Sequence, residues 1–265
     1  MVTRFYPEST GSGVLGYGDP PISPGFDAAW GDTDDAVRRW LSHSGAQFST
    51  PLVSEDTREV SATNPIDVLG VQLISARLAA QTISGTVKGQ IRTSEENADA
   101  DYRAQVVIRV VSEDGSSVIG TLLAADGSAL SSEFAVTTLT NRKFPLAAVS
   151  PATLSSLAVS EGDRIVVEIG NRSHNSHTTN RQALFNLGSA PTTDLAEDET
   201  TTTANRPWIE FSDDITFANE IGRTTQALVE AVVTSTAPRA RATQAYIEVV
   251  ASRKVEEAGW GTRLA

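Results

Sequence analysis

The sequence predicts an all-β protein: an antiparallel, jelly-roll-like β-sandwich with an extended arm at its N-terminus and a strand-bearing arm at its C-terminus. Three observations lead there. Across residues 68–216, short segments rich in Val, Ile, Thr and Phe follow one another, separated by EDG, ADG, EGD and NR turn chemistry. That is the spacing of a sandwich and not of a βαβ enzyme. Within SLAVSEGDRIVVEIG, apolar residues alternate along a strand that follows a Gly-containing turn. On either side of this body the composition changes, with Gly and Pro concentrated before it and a near-repeat after it.

Residues 1–67 read as an arm. GSGVLGYGDPPISPGF gathers glycines and prolines that discourage both helix and central strand. In DAAWGDTDDAVRRWLSHSG, Asp32, Thr33 or Asp34 would cap one short helix carrying Ala36, Val37 and Trp40. Trp30 and Trp40 are costly to leave in water, so this arm lies on something, either its own sandwich or a neighbouring subunit.

The body follows with DVLGVQLIS, TISGTVKGQIRT, the polar loop SEENADADY, RAQVVIRVV, SSVIGTLL, SSEFAVTT, TLSSLAV, DRIVVEIG, QALFNLG and PWIEF. Glu161, Gly162 and Asp163 supply a turn. After it Ile165, Val167 and Ile169 share one face, and Val166 and Glu168 point the other way.

Residues 217–265 form the third part. Thr225-Gln226-Ala227-Leu228-Val229-Glu230 returns as Thr243-Gln244-Ala245-Tyr246-Ile247-Glu248, two strand-like copies joined by TSTAPRAR. Two copies are too few for a solenoid. They suit a ribbon, or strands that complete a neighbour's sheet. VEEAGWGTRLA, with Trp260, reads as a final anchor.

Charge and composition exclude several function classes. The formal net charge is -12, with 33 Asp+Glu against 21 Lys+Arg. Nucleic-acid backbones need dense positive charge, so direct nucleic-acid binding is not expected. No apolar run reaches the length of a spanning helix, so membrane insertion is not expected either. The N-terminus lacks a signal-peptide pattern. Cysteine is absent, which removes disulfides and thiolate chemistry. Lysine is confined to Lys88, Lys143 and Lys254, and the remaining cations are arginines, residues suited to fixed hydrogen-bonded contacts.

A search for catalytic chemistry returns no G-x-S-x-G, Walker loop, dinucleotide fingerprint or H-E-x-x-H. His174 and His177 sit three apart in the polar loop NRSHNSHTTN without an acidic partner nearby in sequence, and read as a solvated loop or subunit contact, with a metal site or a ligand-facing pair as the alternative. His43 receives no catalytic role. Glu95, Glu96, Asp99 and Asp101, and then Asp194, Glu197, Asp198 and Glu199, form two acidic clusters. Both read as solvated loops, with a structural divalent cation such as Ca2+ as the alternative, although neither has EF-hand spacing. No cofactor is expected. Asn171-Arg172-Ser173 matches a glycosylation sequon by accident. Trp208, in RPWIEFSDD, reads as core, or else as an aromatic platform facing a sugar.

The organisation resembles structural proteins of tailed bacteriophage particles. The stretches that carry the resemblance are TRFYPEST followed by PPISPGFDAAWGDTDDAVRRW, then AAQTISGTVKGQIRTSEENADADYRAQVVIRVVSEDGSSVIGTLL, then AEDETTTTANRPWIEFSDDI, and last TQALVEAVV with TQAYIEVVA. It covers nearly the whole chain and carries no catalytic residue. The resemblance implies a non-enzymatic virion component, made in the host cytoplasm and placed on the capsid surface as decoration or in the tail or neck. Its implied partners are copies of itself and other virion proteins. Trp30, Trp40, Thr225, Gln226, Thr243, Gln244, Tyr246 and Trp260 would be the assembly contacts. A virion-displayed module that binds host surface glycan is the alternative, with a carboxylate-based polysaccharide hydrolase behind it.

Overall fold

The fold is all-β. A computed structural model describes residues 2–7, 22–42, 54–59, 65–126, 131–144, 151–176, 179–187, 193–200 and 205–218, with the backbone alone for 54–59. The chain divides into two units, Met1–Ala218 and Asn219–Ala265, and the second lies outside the described residues. Among the described residues no helix is long and apolar enough to cross a membrane.

Fourteen strands are described: β1 (Thr3–Pro7), β2 (Val37–Ser42), β3 (Ser54–Glu59), β4 (Ile66–Ser75), β5 (Gln81–Ile83), β6 (Thr86–Glu95), β7 (Tyr102–Val111), β8 (Val118–Leu123), β9 (Thr140–Phe144), β10 (Ala152–Thr153), β11 (Leu157–Val159), β12 (Arg164–Ser173), β13 (Arg181–Asn186) and β14 (Trp208–Phe211). One layer runs β2-β4-β12-β7-β8. In the other, β6 is flanked on one edge by β14 and β13 and on the opposite edge by β9 and β10, and β3 pairs with β13. Strand β1 joins the layers. Its Thr3–Phe5 stretch pairs with β14, and Tyr6 and Pro7 pair with β2. All pairings between strands are antiparallel except β2 with β4.

Side-chain alternation builds the core between the layers. Ala104, Val106, Ile108 and Val110 of β7 and Ile165, Val167 and Ile169 of β12 face Phe5, Val87, Ile91, Phe144, Phe185 and Phe211. The predicted alternation along β12 is therefore the observed one. Gly162 adopts φ 101°, a left-handed conformation that other residues rarely enter, so the turn before β12 needs a glycine.

Each layer also has a second face, and the chain covers both. Residues 22–36 lie over β4, β12 and β7. There Trp30 packs with Leu69 and Val107, and Ile22 packs with Ile74, Val111 and Val166. Residues 193–200 lie over the β6–β14–β1 face, where Leu195 packs with Tyr6 and Trp208.

Two expectations about the N-terminal residues are corrected. The short helix does not form: Val37–Ser42 is a strand, preceded by a turn. Asp32 accepts a hydrogen bond from the Asp34 amide through its own side chain at 2.9 Å, and Ala36 N donates to Thr33 O at 3.2 Å. An acidic residue that looks like a helix cap has closed an Asx turn instead, and the extended hydrogen bonds of β4 then outcompete helical ones for Val37–Leu41. Nor do the described N-terminal residues leave the body as an arm, since β1 and β2 are strands of its sheet.

SSEFAVTT is also not a strand. It makes isolated bridges to Glu95 and Arg103. Conversely, TNRKF and SEDTRE form β9 and β3 without an apolar pattern, because one backbone edge suffices for pairing.

Candidate functional site

A network of buried polar side chains lies under residues 22–36. Glu168 is 0% exposed and Arg109 is 3% exposed. Each sits where its strand turns a side chain away from the core. Glu168 pairs across the sheet with Gln72 of β4, and Arg109 reaches it diagonally from β7. Glu168 Oε1 accepts from Arg109 Nη2 at 2.6 Å and from Gln72 Nε2 at 2.8 Å. Its Oε2 accepts from Trp30 Nε1 at 2.8 Å and from the Asp27 amide at 3.1 Å. Four donors thus surround one carboxylate, the condition under which a buried ion pair is tolerated.

The same segment closes the network from above. Arg109 and Gln72 both donate to the Gly25 carbonyl. Arg38 bonds Gln72 Oε1 at 2.9 Å and the Pro24 carbonyl at 3.2 Å. Gly170 lies where the β12–β4 register shifts, and a Cβ there would run into the Val68 carbonyl and the Trp30 ring. This arrangement is a clamp: polar groups of β4, β7 and β12 bond one another and the segment that covers them.

A second network covers the opposite face. Arg4 bonds Glu210 at 2.5 Å and Asp194 at 2.8 Å, and its guanidinium lies 4.0 Å from the Trp208 ring centroid. Burial works against the Arg4 charge, yet its bonds to Glu210 and Asp194 outweigh this and hold its pKa above the ordinary value. Arg206 bonds Asp194 at 2.8 Å and stacks on Tyr6, whose hydroxyl also donates to Asp194. Lys88 pairs with Glu197 at 2.7 Å, Asn141 donates to Asp198, and Glu199 accepts from the Lys143 amide. The acidic run 194–199, expected as a solvated loop or cation site, is a strap whose carboxylates meet donors on the sheet. Among the described residues no group of three or more His, Asp or Glu could hold a metal ion.

The sequence-predicted site residues do not converge. Trp30 and Trp40 are each 7% exposed and packed within this chain, the first of the two alternatives open for them. Trp208 is 2% exposed, with Arg4 over its ring and its Nε1 donating to Leu195 O at 2.9 Å. A sugar platform there is corrected to an internal stack, since Arg4 occupies the face a sugar would need. His174 lies beside Arg103 and Asp101; burial first, then the Arg103 charge, push its pKa down. Asn171 is 0% exposed, so the sequon is closed off in the folded chain. His43, His177, Thr225, Gln226, Thr243, Gln244, Tyr246 and Trp260 lie outside the described residues.

Sequence reasoning missed Arg109, Gln72, Arg4 and Asp194 as partners. The available signal was charge inside apolar strands, as in VVIRVV and VVEIG, where a buried polar residue demands a counterpart.

No protein-family model matches this sequence, and no curated protein matches it. Among solved structures, a CocE/NonD family hydrolase from Staphylococcus aureus is similar over 82% of this chain and 36% of its own, at 8% identity and a TM-score of 0.41. This chain thus spans about a third of that hydrolase's length. Infectious bursal disease virus, Gt strain, is similar over 72% of this chain and 48% of its own, at 8% identity and a TM-score of 0.21. Eiger TNF from S. frugiperda is similar over 58% of this chain and 100% of its own, at 16% identity and a TM-score of 0.20. Likeness of this degree carries no functional argument.

Proposed function

We propose that this chain is a non-enzymatic structural component of a tailed bacteriophage virion, a capsid-decoration or tail/neck protein that assembles through its C-terminal segment. The observation that carries the reading is the division of labour along the chain. Met1–Ala218 closes on itself, with both outer faces covered by its own residues, while Asn219–Ala265 is a separate unit. That unit contains the tandem TQALVE and TQAYIE copies. Segments beyond a self-contained β body can add contact area and strand-to-strand hydrogen bonds. The virion setting comes from the sequence resemblance, and copies of this chain and other virion proteins are the proposed partners.

The assembly contacts proposed are Thr225, Gln226, Thr243, Gln244, Tyr246 and Trp260. Trp30 and Trp40 drop out of that set because the clamp side already uses Trp30 and both rings are buried. The test is light scattering of the full chain beside a variant with Thr225, Gln226, Thr243 and Gln244 changed to Ala. The expected result is an oligomer for the natural sequence and a folded monomer for the variant. A natural chain that stays monomeric at high concentration and is missing from purified particles contradicts the reading.

A further inference from the structure

Residues 131–137 form a loop across the ends of β6 and β7. The Glu95 amide donates to Ala135 O at 3.0 Å, Thr137 N donates to Glu95 O at 2.7 Å, and Phe134 N donates to Tyr102 O at 2.8 Å. Ser131 Oγ accepts from the Ala104 amide at 2.7 Å. Phe134 inserts into the core edge-on to Phe185, with ring centroids 5.8 Å apart. One residue of the closed loop is strained: Thr137, β-branched, has φ 56°.

Beneath this loop lies Glu95, 1% exposed. Its Oε2 accepts from the Tyr102 amide at 2.9 Å, and among the described residues its Oε1 has no hydrogen-bond partner. The charged groups around it are Glu133 from the loop, Asp101 from the turn before β7, and Arg142 from β9. Arg142 is itself occupied, donating to Glu133 O at 2.7 Å and Asn141 O at 2.8 Å. Arg103 of β7 is directed to Asp101 at 3.2 Å. An ionised Glu95 in this place has one amide donor, two like charges against the single, already engaged Arg142, and an Oε1 buried away from solvent. A protonated one is far better accommodated. Lifting the loop brings water to Oε1, moves Glu133 away and relaxes Thr137.

We infer that the 131–137 loop is a pH-dependent latch, closed over a protonated Glu95 and released when that carboxyl ionises. Burial first, and then the Glu133 and Asp101 charges, raise the Glu95 pKa to about 7, which puts release near neutral pH. The device stands on the loop's own geometry and is independent of the virion reading.

Amide hydrogen exchange on the full chain tests it, read at Phe134 and Thr137 between about pH 5.5 and about pH 8 and corrected for intrinsic exchange. With Glu95 solvated in the open loop, opening is expected to increase about 30-fold over that range. In Glu95→Gln the corrected rates stay flat. Glu133→Gln, at an exposed position, removes one repelling charge and moves the midpoint to lower pH. Equal pH dependence in the natural chain and Glu95→Gln overturns the inference. So does an unmoved midpoint in Glu133→Gln, the decisive variant if Glu95→Gln does not fold.

Discussion

The indole N–H of Trp30 donates to Glu168 Oε2 at 2.8 Å, joining a residue of the N-terminal segment to the centre of β12. That bond makes residues 22–36 part of the body. It also supplies the fourth donor to Glu168, whose side chain has no solvent contact.

Removing the carboxylate leaves Arg109 buried beside an empty acceptor. Glu168→Ala is expected to cost about 3–5 kcal/mol, the range for breaking one side of a buried pair. Urea unfolding checks the magnitude, and limited proteolysis checks that cleavage begins within residues 22–36.

Gly170 is the close-approach point of the clamp. In Gly170→Ala the new methyl meets the Val68 carbonyl and the Trp30 ring. Neither can yield without breaking the β12–β4 ladder or the Trp30–Glu168 bond. A loss of about 3 kcal/mol is expected from this overpacking. Thermal unfolding together with Trp fluorescence reads both consequences.

Stability also depends on pH through Glu95. Its pKa is about 7 in the folded chain against 4.5 for the ordinary group, so the folded state binds more protons between those values. Stability is therefore fully present below about pH 4.5 and declines as pH rises through about 7, by roughly 3 kcal/mol in total if the unfolded value is ordinary. Other carboxylates with lowered pKa, such as Asp114 at about 2, act at more acid pH. Urea midpoints across the neutral range should fall in the natural chain and hold level in Glu95→Gln.

Much of the body could be read from its residues. Ile165, Val167 and Ile169 alternate because strand geometry makes them, and the turn at Gly162 follows from backbone freedom alone. Both signals are local. The helix expected at Ala36–Trp40 failed because an Asx turn and a helix cap begin with the same residue types, and the choice between them was made by β4, far along the chain. The strap at 194–199 looked like a solvated acidic loop for a similar reason: of its cations, Arg4 and Lys88 are distant in sequence, and only Arg206 is near. Glu168 was placed on the correct face, but its partners come from β4, β7 and the 22–36 segment, which only the folded topology brings together. Thr225, Gln226, Thr243, Gln244, Tyr246 and Trp260 lie outside the described residues, so their part in assembly rests on the repeat itself.

Cryo-electron microscopy of intact particles containing this chain is the most direct measurement. The account predicts many symmetry-related copies on a capsid lattice or tail ring, each with residues 22–36 on its own body and residues 219–265 crossing to a neighbour. A chain present in few copies, with residues 219–265 folded back on its own sandwich and no contact between copies, would contradict it.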